Sequence, residues 1–204
     1  MPRTALLIVA VVAVLGAAGA GVYLMRSGDR FAECRGGAVG GGVADIGGPF
    51  ELVAADGTRV ESAELLERPT LLYFGYSFCP DFCPNDLARN AVAADILAER
   101  GVEVDQVFVS IDPARDTPDV VGDFAEAIHP DLIGLTGSEE DVAAAAQAYR
   151  VFFRKADDHP EFYFVDHSTF TYLVAPGHPF LDFFRSAAPA EEVAERTQCF
   201  VERL

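Results

Sequence analysis

Two cysteines, Cys79 and Cys83, stand four positions apart in "YFGYSFCPDFCPNDL", and a proline follows each. Thiols this close can close a disulfide, cycle as a redox pair or clamp a soft metal ion. A disulfide that only braces structure gains most by closing a long loop, and this loop is short. A structural zinc site asks for four ligands, and no second Cys pair or His pair is spaced to complete one. Two thiolates and one imidazole would suit Cu(I), or copper in both oxidation states. Of the histidines, His129 precedes Pro130 at an expected helix end, His159 lies in the polar "DDHPEF" and His178 in a turn, all surface settings. His167 stands apart in "FVDHSTF", between two strand-like runs. Taken alone, a histidine in that position is still more often a surface or satisfied residue than a ligand.

The neighbouring elements must hold these groups in place. "TLLYFGY" is a nearly continuous apolar run, as a strand buried on both faces requires. The cysteines follow its carboxyl end, where open α/β sheets place their sites. A residue before proline avoids helical dihedrals, so the sequence predicts a loop through 79–83. A helix is predicted from Pro84 at its first position to Arg100, with a stripe of Leu87, Val92, Ile96 and Leu97 and a stop at Gly101. The partial positive charge at that helix start favours thiolate. "PFELVAADGTRV" reads as a hairpin around Asp56-Gly57, and "SAELLE" as a short helix capped by Ser62. "VEVDQVFVSID" and "LIGLTG" read as strands. "TPDVVGDFAEAI" and "SEEDVAAAAQAYR" read as helices capped by Thr117 and Ser138. "EFYFVDHSTFTYLVA" and "PFLDFF" are strand-like around the turn "PGH", and "PAEEVAERTQCFVERL" closes as a helix. Strands alternating with helices indicate an α/β domain with a central mixed sheet.

The chain has 204 residues, half of them hydrophobic, enough for one packed domain with appendages. Its net charge of -17 excludes a nucleic-acid binder, which needs clustered Lys and Arg. Residues 5–25 carry no charge, and at about 1.5 Å per residue a helix of that length just spans a hydrocarbon core. Residues 1–25 are therefore expected to be a membrane anchor. The alternative is a secretory signal cut near Ala18-Gly19-Ala20. "RFAEC" lacks the small residues a lipidation site needs before Cys34. In either case the body is expected to face an oxidising, periplasmic space. Residues 26–48 read as a Gly-rich linker, and residues 49–204 as the folded domain.

"YFGYSFCPDFCP", "VSIDPARDTPD", "LIGLTGSEEDVAAAAQAYRVFF" and "VDHSTFTYLVAP", in that order, resemble the Sco/SenC family across residues 49–204. The resemblance implies a thioredoxin-like fold behind a transmembrane helix. It also implies a copper metallochaperone that delivers to the binuclear copper site of cytochrome c oxidase subunit II. It assigns Cys79, Cys83 and His167 as copper ligands, for Cu(I), Cu(II) or both. An upstream copper donor or a periplasmic thiol reductant is the further partner implied. The rival activity is a thiol–disulfide oxidoreductase that reduces the oxidase's copper-ligand cysteines, with Cys79 and Cys83 as the redox pair and His167 dispensable. Asp81 and Asp166, beside the ligands, are candidate outer-shell groups, and Asp112 and Asp116 are expected to shape a loop near the site. Phe78 departs from the polar or basic residue common in relatives and is expected to exclude water from the metal. Cys34 and Cys199 lie outside the family motif. In an oxidising space they are expected to pair and tie the linker to the domain.

Overall fold

The computed structural model describes residues 16, 30–36, 46–156, 159 and 162–204. The expected anchor over 1–25 lies outside the described residues except for Gly16, which is helical. Among the described residues, no helix is long and apolar enough to cross a membrane. Chain contacts define one unit of Met1–Glu33 with Arg203, and a second of Cys34–Glu202 with Leu204. In the first, Arg30–Glu33 forms a turn. The second holds every strand and every helix described from Glu51 onward.

Its elements run β1 (Glu51–Ala54), β2 (Arg59–Glu61), α1 (Ser62–Leu65), β3 (Thr70–Gly75), α2 (Phe82–Glu99) and β4 (Asp105–Ser110). Then come α3 (Pro118–Ile128), β5 (Leu132–Thr136), α4 (Glu139–Ala148), β6 (Phe153–Lys155) and β7 (Val165–His167). The chain closes with β8 (Phe170–Ala175), β9 (His178–Arg185) and α5 (Ala190–Val201). Seven strands form one sheet in the order β2-β1-β5-β4-β3-β8-β9. β3, β4 and β5 are parallel, while β1, β8 and β9 join antiparallel. This is a thioredoxin-like α/β fold with a central mixed sheet.

The apolar run predicted as a doubly covered strand is one: all of Thr70–Gly75 is buried. Leu72, Phe74, Phe108, Leu135 and Tyr149 pack around the sheet in one core. The hairpin turns at Gly57, whose φ of 82° suits glycine. Ser138 caps α4 by accepting from Asp141 N at 3.1 Å.

Three local expectations are corrected. Ser62 does not cap α1. It opens the helix after Glu61, and its hydroxyl accepts from Phe50 N at 3.1 Å, tying the helix to the strand before it. The predicted stripe on α2 includes Val92, which is exposed, whereas the buried face runs through Leu87, Asn90, Ala91, Ala94 and Leu97. Asn90 belongs there because Thr171 of β8 bonds its side chain, a partner that apolar periodicity does not reveal. "EFYFVDH" does not join the main sheet. β7 pairs with β6 in a separate two-stranded ribbon, with Phe153 opposite His167.

Candidate metal centre

Gly75 ends β3, and residues 76–81 carry the chain into α2. α2 begins earlier than the prolines suggest. Asp81 is its N-cap, Phe82 its first residue, and Cys83 lies within the first turn. Pro84 is tolerated there because the first-turn amides have no partner inside the helix. The two thiols thus sit differently: Cys79 in the loop, Cys83 at the positive end of an 18-residue helix. Cys79 is 8% exposed and Cys83 is fully buried.

The β6–β7 ribbon brings in the imidazole from 84 residues further along. His167 Nε2 lies 3.4 Å from Cys83 Sγ. The ligand atoms of Cys79, Cys83 and His167 all lie within 4.8 Å of one another. Three donors around one ion, at metal–sulfur and metal–nitrogen distances of about 2.0–2.3 Å, sit roughly 4 Å apart, so the cluster has the right size. His167 Nδ1 lies 2.9 Å from the carbonyl of Ser168. A carbonyl can only accept, so Nδ1 carries the proton and Nε2 keeps its lone pair toward the sulfurs. That is how ligating histidines are commonly oriented. Tyr76 and Tyr73 meet the imidazole edge to face, at 5.8 and 6.4 Å between ring centroids.

The thiols share one hydrogen-bonding arrangement with opposite consequences. A hydrogen bond from Cys83 holds the Cys79 thiol well below its ordinary range against the opposing effect of burial. The same bond, followed by burial, pushes Cys83 up. The backbone N–H of Cys83 also approaches Cys79 Sγ, at 3.4 Å. The pair behaves as one thiolate and one thiol. An open pocket of about 580 Å³, lined by Tyr76, Cys79, Phe82, Phe164, Asp166 and His167, gives access from solvent.

Behind the pocket, the segment Ser110–Asp116 fixes both ligand-bearing parts. Asp116 is fully buried. Its carboxylate accepts from Ser77 N at 3.0 Å, from the Ser77 hydroxyl and from Ser110 Oγ at 2.5 Å. It therefore anchors the cysteine loop to the end of β4. Asp112 accepts from Tyr163 Oη at 2.6 Å and from Arg115 Nε at 2.5 Å. Arg115 also donates to the Tyr163 carbonyl at 3.0 Å, and its guanidinium lies over the rings of Tyr163 (3.6 Å), Phe78 (4.7 Å) and Tyr76 (5.7 Å). Arg115 and Tyr163 escape sequence reasoning because their partners are 48 residues apart. An arginine between two acids in a turn segment was the one available hint.

The remaining expected site residues fall into place more simply. The Asp81 carboxylate accepts from Asn85 at 2.9 Å, and Asp166 pairs with Arg154 at 3.1 Å. The ring nitrogen of His167 is held instead by the Ser168 carbonyl. Phe78 is 56% exposed with Arg115 against its ring, and it is not among the residues that line the pocket beside the sulfurs. Cys34 and Cys199 are joined as a disulfide. His129 lies 3.5 Å from Asp95 at the end of α3, far in sequence from any ligand.

A family model described as SCO1/SenC matches residues 39–202. Protein SenC of Rhodobacter capsulatus is 46% identical over 195 residues, covering 96% of this chain and 88% of that protein. The mitochondrial SCO1 homolog 1 of Arabidopsis thaliana is 45% identical over 144 residues, covering 70% of this chain and 43% of that longer protein. Among solved structures, copper-bound ScoI of Arabidopsis thaliana aligns with a TM-score of 0.72 at 40% identity, over 77% of this chain and 99% of that one. Copper-bound yeast Sco1 aligns with a TM-score of 0.72 at 32% identity, over 78% and 89%. A thioredoxin-like sheet, a cysteine pair at its carboxyl edge, a distant histidine facing that pair, a family model matched over residues 39–202 and a relative alike along nearly the whole length converge on one assignment: the chain belongs to the SCO1/SenC family.

Proposed function

We propose that the protein is a copper carrier for cytochrome c oxidase assembly, in which Cys79, Cys83 and His167 hold the ion and release it to oxidase subunit II. The observation that carries this reading is the approach of His167 Nε2, lone pair inward, to the cysteine pair. Thiolates with an imidazole are a soft donor set that accepts Cu(I) and tolerates Cu(II). Two ligands lie on a loop and a helix end, and the third on a short ribbon, so an acceptor's ligands can replace them one at a time through the open pocket. Phe78, Phe82 and Phe164 stand exposed on the ligand-bearing segments and offer an apolar seat for a protein acceptor. Closing the Cys79 thiolate and the Cys83 thiol into a disulfide gives up two electrons and one proton and removes both sulfur ligands. Loading therefore requires a thiol reductant on the same side of the membrane. The charge-free run at 5–25 supports anchoring through an N-terminal helix. The Cys34–Cys199 disulfide supports an extracytoplasmic body, since such bonds persist in oxidising compartments.

The purified, reduced full chain is expected to take up about one Cu(I) and its disulfide form none, as the count of one donor cluster implies. His167→Ala is expected to weaken binding by at least about tenfold and to change the Cu(II) absorption spectrum. Unchanged affinity and spectrum in that variant would remove His167 from the ligand set.

The lowered pKa of Cys79 favours a second reading, a thiol–disulfide oxidoreductase that reduces the acceptor's cysteines. A nucleophilic thiolate beside a buried resolving thiol has the needed arrangement. Reduction of an acceptor disulfide at wild-type rate by His167→Ala would favour it.

A further inference from the structure

Gly75 ends β3 directly under the cysteine pair. A methyl group built on its Cα would lie 2.7 Å from Cys83 Sγ, 2.9 Å from Tyr73 Cε1 and 3.4 Å from Phe108 Cε2. Carbon contacts are comfortable at about 3.5–4.0 Å, so something would have to move. The two rings are fully buried in β3 and β4. The glycine backbone is fixed as well, in register with Ser110 and with its carbonyl accepting from Ile111 N at 2.8 Å. The sulfur hangs on a single rotatable bond and is the easiest group to displace. Gly75 is not among the glycines with positive φ. Its backbone would accept alanine, so what the site demands of this residue is space alone.

We propose that Gly75 is a positioning residue for the metal centre. Its missing side chain lets Cys83 Sγ seat against the end of β3, at the depth from which it meets His167 Nε2 at 3.4 Å. Through that seat it sets the copper geometry, a consequence that rests on the carrier reading above.

Gly75→Ala in the full chain is the test. The far-ultraviolet circular dichroism is expected to be retained. Copper affinity is expected to fall about 10- to 100-fold, the range seen for residues that orient ligands, with a shifted Cu(II) absorption spectrum. A metal-free arm compares urea midpoints of wild type, G75A, C83A and G75A/C83A. G75A is expected to lower the midpoint clearly when Cys83 is present and much less when its sulfur is gone. Equal shifts in the two backgrounds overturn the proposal, as does a G75A chain with wild-type affinity and spectrum. Should G75A fail to fold, the double variant must fold if the sulfur is the constraint, and its failure too would overturn the proposal. A wild-type chain that binds no copper would instead sink the carrier reading, and the unfolding comparison would still decide whether Gly75 seats the sulfur.

Discussion

Cys79 and Cys83 share a sequence context yet end with opposite acidities. Cys79 receives hydrogen bonds in the loop, and its thiol falls; Cys83 donates from full burial, and its thiol rises. The sign of the resulting pH effect follows directly. A thiol of ordinary pKa, about 8.5, loses reactive thiolate tenfold for each pH unit below that value. Cys79 stays ionised until the pH falls through its lowered value. Alkylation of Cys79 by iodoacetamide is therefore expected to be nearly flat between about pH 8 and pH 6, relative to that tenfold-per-unit fall. Peptide mapping would follow it. A tenfold loss per unit across that range would show that the hydrogen bonds to Cys79 do not hold it as a thiolate.

The cysteine loop and the β6–β7 ribbon are separate elements that must stay in register for a three-ligand site. Arg115 joins them, through the buried Asp112, the Tyr163 carbonyl and the faces of Tyr163, Phe78 and Tyr76. Removing one partner of a buried ion pair leaves the other charge uncompensated, at a cost of about 3–5 kcal/mol. Arg115→Ala is expected to lose stability on that scale and to speed amide hydrogen exchange in Phe153–Lys155 and Val165–His167 more than in β3. Exchange that rises equally everywhere would mean that Arg115 supports the fold in general and not the ribbon's placement. Lysine should not rescue it, since only a planar guanidinium donates to the acid and to the Tyr163 carbonyl at once while it stacks on the rings.

For the whole molecule, the Cys34–Cys199 bond spans 165 positions. A cross-link of that span removes much chain entropy from the unfolded state, worth about 3–5 kcal/mol. Gly36 N and Arg35 Nε reach Asp182 and the Leu181 carbonyl at 3.4 Å, so part of the expected linker is held against β9. The double variant Cys34→Ser/Cys199→Ser is expected to unfold at clearly lower urea while its reduced form still binds copper with unchanged stoichiometry. A loss of copper binding in the folded variant would assign the disulfide a role in the site.

The sequence by itself determined the elements whose causes are local. The apolar run of β3, the Ser138 cap, the turn at Gly57 and the helix stop at Gly101 follow from periodicity and dihedral preference within a few residues. The cysteine pair at a strand's carboxyl edge was legible for the same reason. Proline placement misled at one point, because first-turn prolines are tolerated and α2 could begin before Pro84. His167 could be chosen only through its resemblance to a family, since no local pattern separates a ligand from a surface histidine. Tertiary structure decided what depends on residues far apart in the chain. It aimed Nε2 at Cys83, gave Arg115 its aromatic and acidic partners, turned Phe78 to solvent and left room for a sulfur where Gly75 has no side chain. Those outcomes depend on distances between segments, which packing sets and residue spacing does not encode.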